Sequence, residues 1–410
     1  MPEYDKSNFP VGIYKLKNSI QKYAWGTKGK NAFIAKFIQK ENKKAIPMAE
    51  LWIGTHSKLP SQILLENNYY NLDEIIKKFP QEILGKKVAQ KFNNKLPFLL
   101  KILSIEKPLS IQAHPNKKLA KILHKNNPKN YSDSNHKPEI AIALDKFELL
   151  IGFKSFKEIY STINKYQALK NNLSFNFTKK MLDKSEVAKR KIIKKIYSEW
   201  MNYTPEKLKE IIQELVTEIN KKGKTNNTEK LFLKLQKQYG SDIGLLSLLI
   251  LNHLTLKKDE AIFTKAGIPH AYLKGNIIEC MANSDNVIRA GFTNKYKDKN
   301  TLLKMLTYEN GSVKIIKNKN KKMFIYSVSA EEFEVVKFNI KNKSELYESN
   351  VTGVRILLVL KGTIKIISEK YSEKFLLKRG GSVLIPAILK SYKIICNKNT
   401  EFICVKVPIN

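Results

Sequence analysis

The spacing of apolar residues changes twice along this chain of 410 residues. From Val11 to about Phe153, and again after Leu256, apolar runs are short and separated by turns, which predicts β-strands. Between about Lys154 and Leu254, apolar residues recur every three or four positions, which predicts amphipathic helices. A chain of this length exceeds one ordinary hydrophobic core. We therefore predict a mainly β protein of two domains, with a helical insertion in the first.

The predicted helical block contains three stretches with clear helical spacing. In TPEKLKEIIQELVTEINKKG, Pro205 suits the first helical position and Gly223 lies beyond the end. A further stretch, TEKLFLKLQKQYG, should stop at Gly240. The residues expected to share one apolar face are Leu208, Ile211, Ile212, Leu215 and Ile219 in one helix, and Ile192, Ile193, Ile196, Tyr197 and Trp200 in another.

The last eighty or so residues have the two-residue alternation of β-strands. Val336, Phe338 and Ile340 alternate with polar residues in VVKFNIK. The run RILLVLKGTIKII predicts a hairpin around Gly362, and RGGSVLIPA predicts a turn followed by a strand that ends at Pro386.

The formal net charge of +37 is unusual, and taken alone it suggests nucleic acid or an anionic membrane as a partner. Lysines are spread along the whole length, however, and only four basic residues are arginines. Interleaving of arginine with aromatic residues, typical of nucleic-acid contacts, does not occur in the sequence. We interpret the charge as a lysine-rich surface and expect no nucleic-acid partner.

The cellular compartment is constrained by the cysteines and the apolar runs. Three cysteines in so long a chain argue against a disulfide framework and fit a reducing compartment. The N-terminus lacks the apolar core of a signal peptide. The longest apolar run, IGLLSLLIL, is about half of the ~20 residues that a membrane span needs. We expect a cytoplasmic protein that does not bind membranes.

Polar residues alternate in the segment PLSIQAHPN. If this segment is a strand, Ser110, Gln112 and His114 project from one face, while Ile111 and Ala113 face the core. Such a pattern alone is more often a satisfied polar pair than a ligand set.

Two further polar residues are candidates for a functional site. Glu139 opens a buried-looking strand, where a carboxylate is costly unless it is paired or binds a metal. His270, in GIPHAYL, lies at the mouth of another strand. Each of them alone is more often structural than functional.

Taken together, these segments resemble a known family. QKYAWG, AELWIGTHSKLPS, LPFLLKILSIEKPLSIQAHPNKKLAKILH, YSDSNHKPEIAIALDKFELLIGF and EAIFTKAGIPHAYLKGNIIECMANSDNVIRAGFTNKYKD match, in order, the signatures of the type I phosphomannose isomerases. YGSDIGLLSLLILNHL continues the match, which runs from about residue 14 to residue 298 and is weaker beyond. Members of this family are zinc-dependent enzymes that interconvert mannose 6-phosphate and fructose 6-phosphate.

The resemblance implies a fold and an organisation. A cupin-type (jelly-roll) catalytic domain is expected in residues 1–154 and 256–330, the helical insertion in 155–255, and a second, cupin-like β domain in 331–410. No histidine occurs after His270, so the C-terminal domain is expected to be metal-free. A monomer that acts on a small phosphorylated sugar in carbohydrate metabolism is expected.

The resemblance also implies a ligand set of four residues. Gln112, His114, Glu139 and His270 match the zinc ligands of the family, with one zinc ion per chain. Two nitrogen and two oxygen donors, with a position left for water or substrate, suit an open zinc site. Only Glu139 carries negative charge, so the formal charge left at the site would be +1.

Other site residues follow from the same match. Arg289 matches the family's active-site arginine, and its guanidinium can bind an oxyanion bidentately. Acid and base roles stay open among His136, Lys137, Glu279 and Asp285, and the carboxylates could instead orient Arg289 or Lys137. Candidates for substrate contacts are Ser110, Lys137 and Lys295 at the phosphate, together with Trp25 and Glu50 in matching motifs. Lys295 could instead be a solvated surface cation, and a tryptophan such as Trp25 is more often a packed core residue.

Two other functions remain open from the sequence. A cupin metal oxygenase would use a similar scaffold, although a set of two histidines, one glutamate and one glutamine suits zinc better than redox iron. A binding protein on a cupin scaffold is the non-enzyme alternative, because one fold serves many functions.

Overall fold

Strands occupy both ends of the chain in a computed structural model, which describes residues 7–42, 44–368 and 373–409. The strands are β1 (Tyr14–Lys17), β2 (Ser19–Gln21), β3 (Glu50–Gly54), β4 (Gln62–Leu65), β5 (Asn68–Asn71), β6 (Phe98–Ile105), β7 (Ile111–Ala113), β8 (Glu139–Ala143), β9 (Phe147–Phe153), β10 (Leu251–Leu256), β11 (Glu260–Thr264), β12 (His270–Ala282), β13 (Ile288–Gly291), β14 (Ile316–Lys317), β15 (Met323–Tyr326), β16 (Glu334–Ile340), β17 (Ser344–Glu348), β18 (Arg355–Lys361), β19 (Thr363–Ser368), β20 (Glu373–Lys378), β21 (Ser382–Ile385), β22 (Tyr392–Cys396) and β23 (Thr400–Lys406).

Helices concentrate in the middle of the chain. They are α1 (Phe33–Phe37), α2 (Leu72–Lys78), α3 (Pro80–Leu84), α4 (Lys86–Lys91), α5 (Lys117–Asn126), α6 (Phe156–Lys165), α7 (Gln167–Lys170), α8 (Glu186–Met201), α9 (Pro205–Lys221), α10 (Asn227–Tyr239), α11 (Gly244–Ile250) and α12 (Lys299–Met305). Short 3₁₀ turns lie at Gly29–Asn31, Lys179–Asp183 and Ala387–Leu389. The predicted mainly β fold with a helical insertion is confirmed.

The predicted helix limits in the insertion are confirmed in detail. Helix α9 begins at Pro205, where the Thr204 side chain accepts a hydrogen bond from the Lys207 amide, and it ends two residues before Gly223. Helix α10 ends at Tyr239, and Gly240 follows with a positive φ of 64°. The predicted apolar faces pack into one core with the inner sides of α6 and α11.

The longest strand, β12, lies at the centre of the 11-stranded sheet. Its second half pairs with β6 and β8, whereas its first residues pair with β9 and β7. The change of partner occurs at Gly275, whose φ is 125° and where a Cβ atom would lie 2.6 Å from the Lys146 carbonyl oxygen. Only glycine permits this close approach. The antiparallel pairing of this 11-stranded sheet is consistent with the predicted cupin architecture.

The C-terminal region forms two sheets over a shared apolar core. An eight-stranded sheet runs in the order β15-β16-β23-β18-β21-β1-β4-β5, and a four-stranded sheet in the order β17-β22-β19-β20. Strand β1, from the N-terminus, pairs with both β21 and β4. Strands β1 and β15 thus belong to this sheet although they lie outside residues 331–410. The predicted limits of the C-terminal domain, 331–410, stay a prediction.

The predicted hairpin around Gly362 is wrong. Strand β18 pairs with β21 and β23, whereas β19 pairs with β20 and β22 in the other sheet. At Gly362 the φ is 75°, and a Cβ atom would lie 2.6 Å from Thr400 Oγ1. The chain therefore turns a corner between two packed sheets at this glycine instead of folding back on itself.

A buried lysine connects the eight-stranded sheet to the turn between β10 and β11. Val336, Phe338 and Ile340 of β16 are buried as expected, but Lys337 between them is also buried, with 1% exposure. Its ammonium lies 2.8 Å from Glu401 Oε2 and 2.5 Å from Asp259 Oδ1 in the turn between β10 and β11. Pairing with two carboxylates offsets the cost of burying the charge.

Six of the described helices lie outside the block that the sequence analysis predicted as helical. These are α1 to α5 and α12, and five of the six are seven residues or shorter. Such short segments show too few turns for a helical period to stand out from a strand.

Within the described ranges, every helix is too short or too polar to cross a lipid bilayer. The cytoplasmic location, the monomeric state and the lack of nucleic-acid binding stay predictions.

The insertion core gives a stability prediction. Trp200 in α8 is 1% exposed, so Trp200→Ala should lower the free energy of unfolding by about 3–5 kcal/mol through lost burial and the cavity left behind. Val187 lies on the same helix and is 65% exposed, so Val187→Ala should change it by less than about 0.5 kcal/mol. Urea unfolding followed by far-UV circular dichroism measures both. Equal midpoints for the two variants would contradict the packing described.

Candidate metal centre and active site

Three predicted site residues are neighbours across adjacent strands. Gln112 is the central residue of β7, and it pairs in register with His270 of β12 on one side and with Arg289 of β13 on the other. Directly opposed residues in antiparallel strands project from the same face, about 5 Å apart. The pairing of β12, β7 and β13 therefore places an amide, an imidazole and a guanidinium side by side.

His114 and Glu139 reach the same place from other segments. His114 follows β7 by one residue and is fully buried, while Ile111 and Ala113 face the core as the alternation predicted. Glu139 is the first residue of β8, 1% exposed, and pairs with Met281 near the end of β12. The ligand atoms of His114, Glu139 and His270 all lie within 4.8 Å of one another.

Backbone carbonyls set the tautomer of both histidines. The Nδ1 atom of His114 lies 2.7 Å from the Asn286 carbonyl oxygen, and the Nδ1 atom of His270 lies 3.0 Å from the Ile268 carbonyl oxygen. A carbonyl oxygen only accepts, so Nδ1 carries the proton in each ring and Nε2 carries a lone pair. Burial also lowers the pKa of His114 to about 4, which keeps that ring neutral at physiological pH.

The inward-facing atoms of these residues have no hydrogen-bond donor. Nε2 of His114, Nε2 of His270 and Oε2 of Glu139 are buried without a hydrogen-bond partner among the described residues. His270 Nε2 lies 2.9 Å from Glu139 Oε1, and His114 Nε2 lies 3.3 Å from Glu139 Oε2. Lone pairs at these separations repel unless a cation lies between them. The donor set therefore fits a bound metal ion.

The Glu139 carboxylate has one hydrogen-bond donor, at Oε1, and a cation beside Oε2. The Tyr272 hydroxyl donates to Oε1 at 3.1 Å, and the Lys137 ammonium lies 3.4 Å from Oε2. Burial works to raise the pKa of Glu139, but Lys137, His114 and His270 together hold the pKa well below its usual range. Burial and the neighbouring Glu139 carboxylate raise the pKa of Tyr272 well above its ordinary value. Glu139 therefore stays ionised and Tyr272 stays a donor.

A buried ionic cluster lies next to these ligands. The Lys101 ammonium is 3.4 Å from Glu50 Oε2 and 3.5 Å from Glu279 Oε2, and it lies over the Trp52 ring at 5.0 Å. The Trp52 indole donates to Glu50 at 2.6 Å. Burial works to lower the pKa of Lys101, but the two carboxylates raise it above its ordinary value. Burial and the charge of Glu139 raise the pKa of Glu279.

Two of the predicted acid–base residues form hydrogen bonds with residues outside the proposed ligand set. Asp285 accepts from His56 Nε2 at 2.9 Å and from the Lys58 ammonium at 2.9 Å. Burial works to raise its pKa, and those two hydrogen bonds hold the pKa well below its usual range. His136 lies in a hydrogen bond of 2.6 Å to Glu332, a residue just before β16.

The predicted anion-binding residues differ in exposure. Arg289 is half-buried, and no described carboxylate lies within 4.0 Å of its guanidinium. Ser110 is partly exposed immediately before β7, and Lys295 is exposed beyond β13. Trp25 is half-buried and stacks on Tyr23 with ring centroids 5.8 Å apart. The structure thus gathers Arg289 with the ligand set, whereas Lys295 lies at the surface.

Several residues around the site were missed by the sequence analysis. Asp133 accepts from the Ser284 hydroxyl at 2.8 Å and from the Asp285 amide at 2.8 Å, and it also accepts from the Asn286 amide group. It thereby fixes the loop whose Asn286 carbonyl orients His114. A usable signal existed only for Lys101, a single lysine inside the apolar run LPFLLKILS. The residues missed are His56, Lys101, Asp133, Tyr272, Asn286 and Glu332.

Known proteins are similar to this chain over most of its length. The family model for the catalytic domain of type I phosphomannose isomerase matches residues 13–156, and the model for the helical insertion domain of the same family matches residues 168–251. Mannose-6-phosphate isomerase of Saccharomyces cerevisiae is 40% identical over 383 residues, which covers 85% of this chain and 88% of the yeast protein. The Homo sapiens protein of that name is 36% identical over 396 residues, covering 92% and 93%.

Solved structures agree with these relatives. A point mutant of phosphomannose isomerase from Salmonella typhimurium superposes with a TM-score of 0.84 at 28% identity, covering 97% of this chain and 100% of that one. A mannose 6-phosphate isomerase bound with zinc and yttrium superposes with a TM-score of 0.83 at 28% identity and the same coverage.

The donor geometry gives a prediction for metal binding. Glu139→Gln keeps the side-chain size but removes the one negative charge among the donors, so metal affinity should fall by roughly tenfold or more. Metal content after dialysis against a zinc-buffered solution, measured by mass spectrometry, tests this. Glu106→Gln, at an exposed position, is the matched control and should retain full metal content. Full occupancy in Glu139→Gln would show that this carboxylate is not a ligand.

Proposed function

The chain belongs to the type I phosphomannose isomerase family, and on that premise we propose that it uses one zinc ion per chain to interconvert mannose 6-phosphate and fructose 6-phosphate. The isomerase activity follows from relatives that carry this name over most of the chain. The observation that carries the metal part is the convergence of three buried acceptor atoms that lack a donor among the described residues.

Zinc fits the donors better than magnesium or calcium does. Two imidazole nitrogens and a carboxylate oxygen are donors that zinc favours, whereas magnesium and calcium favour sites made of oxygen alone. Gln112, in register with His270, is proposed as the fourth ligand through its amide oxygen. A zinc ion held by these residues would supply a Lewis acid for developing negative charge on a sugar oxygen, or would mainly orient the sugar.

Arg289 is proposed to bind an oxyanion of the substrate. Its guanidinium is half-buried and has no described carboxylate within 4.0 Å, so its positive charge is uncompensated by protein. A buried, unpaired cation is costly, and an anionic ligand removes that cost. Ser110, Lys137 and Lys295 are proposed as further contacts to the phosphate group, and Trp25 and Glu50 as residues that line the site.

The isomerisation moves a proton between adjacent carbons through an enediol-type intermediate, and this requires a group that can exchange protons. Both oxygens of Asp285 are already bonded to His56 and Lys58, so we assign this residue a positioning role. The Glu279 carboxylate is bonded less closely, with Lys101 at 3.5 Å, and is therefore the better candidate for the proton transfer between carbons. His136 is proposed to exchange protons with sugar hydroxyl groups, and Lys137 to stabilise negative charge.

Removal of the metal tests the proposed function directly. Purified protein should convert mannose 6-phosphate to fructose 6-phosphate, lose this activity after chelator treatment, and recover it when zinc is restored. The conversion is measured in a coupled assay for fructose 6-phosphate, with circular dichroism before and after chelation to verify the fold. A folded, zinc-loaded sample without activity would refute the proposal.

Substitution of Arg289 tests the anion site separately. Arg289→Lys keeps the charge but loses the bidentate geometry, so kcat/KM for mannose 6-phosphate should fall by roughly a hundredfold, as when one oxyanion donor is removed. Zinc content should not change. Arg190→Lys is the control, because Arg190 is exposed and lies 3.8 Å from Glu309 on the helical insertion side of the protein. Equal kcat/KM for Arg289→Lys and wild type would exclude the assigned role.

A further inference from the structure

A buried glutamate from the C-terminal region contacts the candidate catalytic histidine. Glu332 lies in the turn between β15 and β16 and is 3% exposed. Its Oε1 atom is 2.6 Å from Nε2 of His136, which belongs to the loop before β8. The two residues are separated by 196 positions in sequence. The contact therefore connects the C-terminal sheet to the loop that leads to the proposed ligand Glu139.

We propose that Glu332 is a positioning residue that holds His136 in its Nε2–H form and thereby assigns proton exchange with the substrate to Nδ1. An ionised carboxylate only accepts hydrogen bonds, so the bonded ring nitrogen must carry a hydrogen. The neutral ring then has its lone pair on Nδ1. This inference rests on the proposed function, in which His136 exchanges protons with the hydroxyl groups of the sugar.

The surroundings of Glu332 favour the ionised state. Burial works to raise its pKa, but the hydrogen bond with His136 contributes to holding the pKa below its ordinary value. The second oxygen, Oε2, is buried and has no hydrogen-bond partner among the described residues. Leaving a buried acceptor unsatisfied costs stability. A glutamate at this position is thus a poor choice for stability alone, and the bond to His136 is the compensating interaction.

The other ring nitrogen of His136 is available. In the described part of the chain, Nδ1 of His136 has no hydrogen-bond partner, and the side chain is 26% exposed. The imidazole can therefore accept a proton from a sugar hydroxyl at Nδ1 and become an imidazolium, while Nε2–H stays bonded to Glu332. The reverse transfer returns the same proton to the sugar, and the carboxylate stabilises the cation in between.

The neighbouring residue supplies a matched control. Glu331 is exposed and lies 3.1 Å from Lys91, also an exposed residue. Glu331→Gln and Glu332→Gln thus make the same chemical change at adjacent positions, one in solvent and one on His136. Zinc content and thermal unfolding of both variants establish that they are folded and loaded. Glu332→Asp, which keeps the charge but shortens the side chain, replaces Glu332→Gln if that variant does not fold.

Kinetics of the zinc-loaded protein give the first test. In Glu332→Gln, kcat for mannose 6-phosphate should fall by at least about tenfold, because the amide no longer enforces one tautomer. KM should change by less than about threefold, because binding contacts are untouched. In a His136→Gln background the added Glu332→Gln change should cause no further loss. An equal loss in both backgrounds would overturn the inference in favour of a general structural role.

The tautomer itself gives a test that is independent of activity. The chain has six histidines, so ¹⁵N-histidine labelling yields six ring systems, and His136→Gln identifies the signals of His136. Wild-type protein should show His136 as the Nε2–H form, and Glu332→Gln should lose this preference whereas Glu331→Gln retains it. An unchanged His136 ring spectrum in Glu332→Gln would overturn the inference. An inactive wild type with the expected tautomer change would instead refute the proposed function and leave the assigned contact supported.

Discussion

Mutual repulsion between two buried imidazole nitrogens and the two oxygens of Glu139 is the constraint on which the site depends. Two imidazole lone pairs face the two oxygens of Glu139 at 2.9 and 3.3 Å with no hydrogen between them. The surrounding residues maintain this otherwise unfavourable arrangement. Backbone carbonyls hold both Nδ1 protons on the far side of the rings, and Lys137 and Tyr272 keep the carboxylate ionised. A cation is the component that turns this repulsion into attraction, so metal binding and local stability are coupled.

The charge balance around the ligands suits an anionic sugar. Three carboxylates, Glu50, Glu139 and Glu279, and two ammonium groups, Lys101 and Lys137, are buried together. With all five ionised, the cluster carries one negative charge, which a divalent cation converts to one positive charge. The unpaired Arg289 adds a second positive charge beside Gln112. A doubly charged phosphate monoester would neutralise these two positive charges, whereas an uncharged sugar would leave both of them uncompensated.

Local sequence patterns predicted the structural features that neighbouring residues determine, such as helix ends. They missed the features that depend on contacts between residues far apart in the sequence. Pro205, Gly223 and Gly240 delimit helices through their own backbone preferences, so these limits were predictable. The alternation around Gln112 gave the buried face of β7 for the same reason. The corner at Gly362 depends instead on the pairing of β18 and β19 with different sheets, and the burial of Lys337 depends on Asp259 and Glu401. The proposed ligands were predictable only through the family resemblance, because residues from three separate segments, around β7, β8 and β12, must converge.

Arginine placement is more informative about function than the total charge. Lysines cover the whole surface, and a net charge of +37 therefore does not distinguish one face of the protein from another. Two of the four arginines pair with glutamates, Arg190 with Glu309 and Arg355 with Glu348, and Arg379 lies over the Phe37 ring. Among the residues that the structure describes, Arg289 has neither kind of partner, is half-buried and lies beside a proposed ligand. A guanidinium kept there without a counter-ion must derive its stabilisation from something that binds, and this is the physical argument for an anionic substrate.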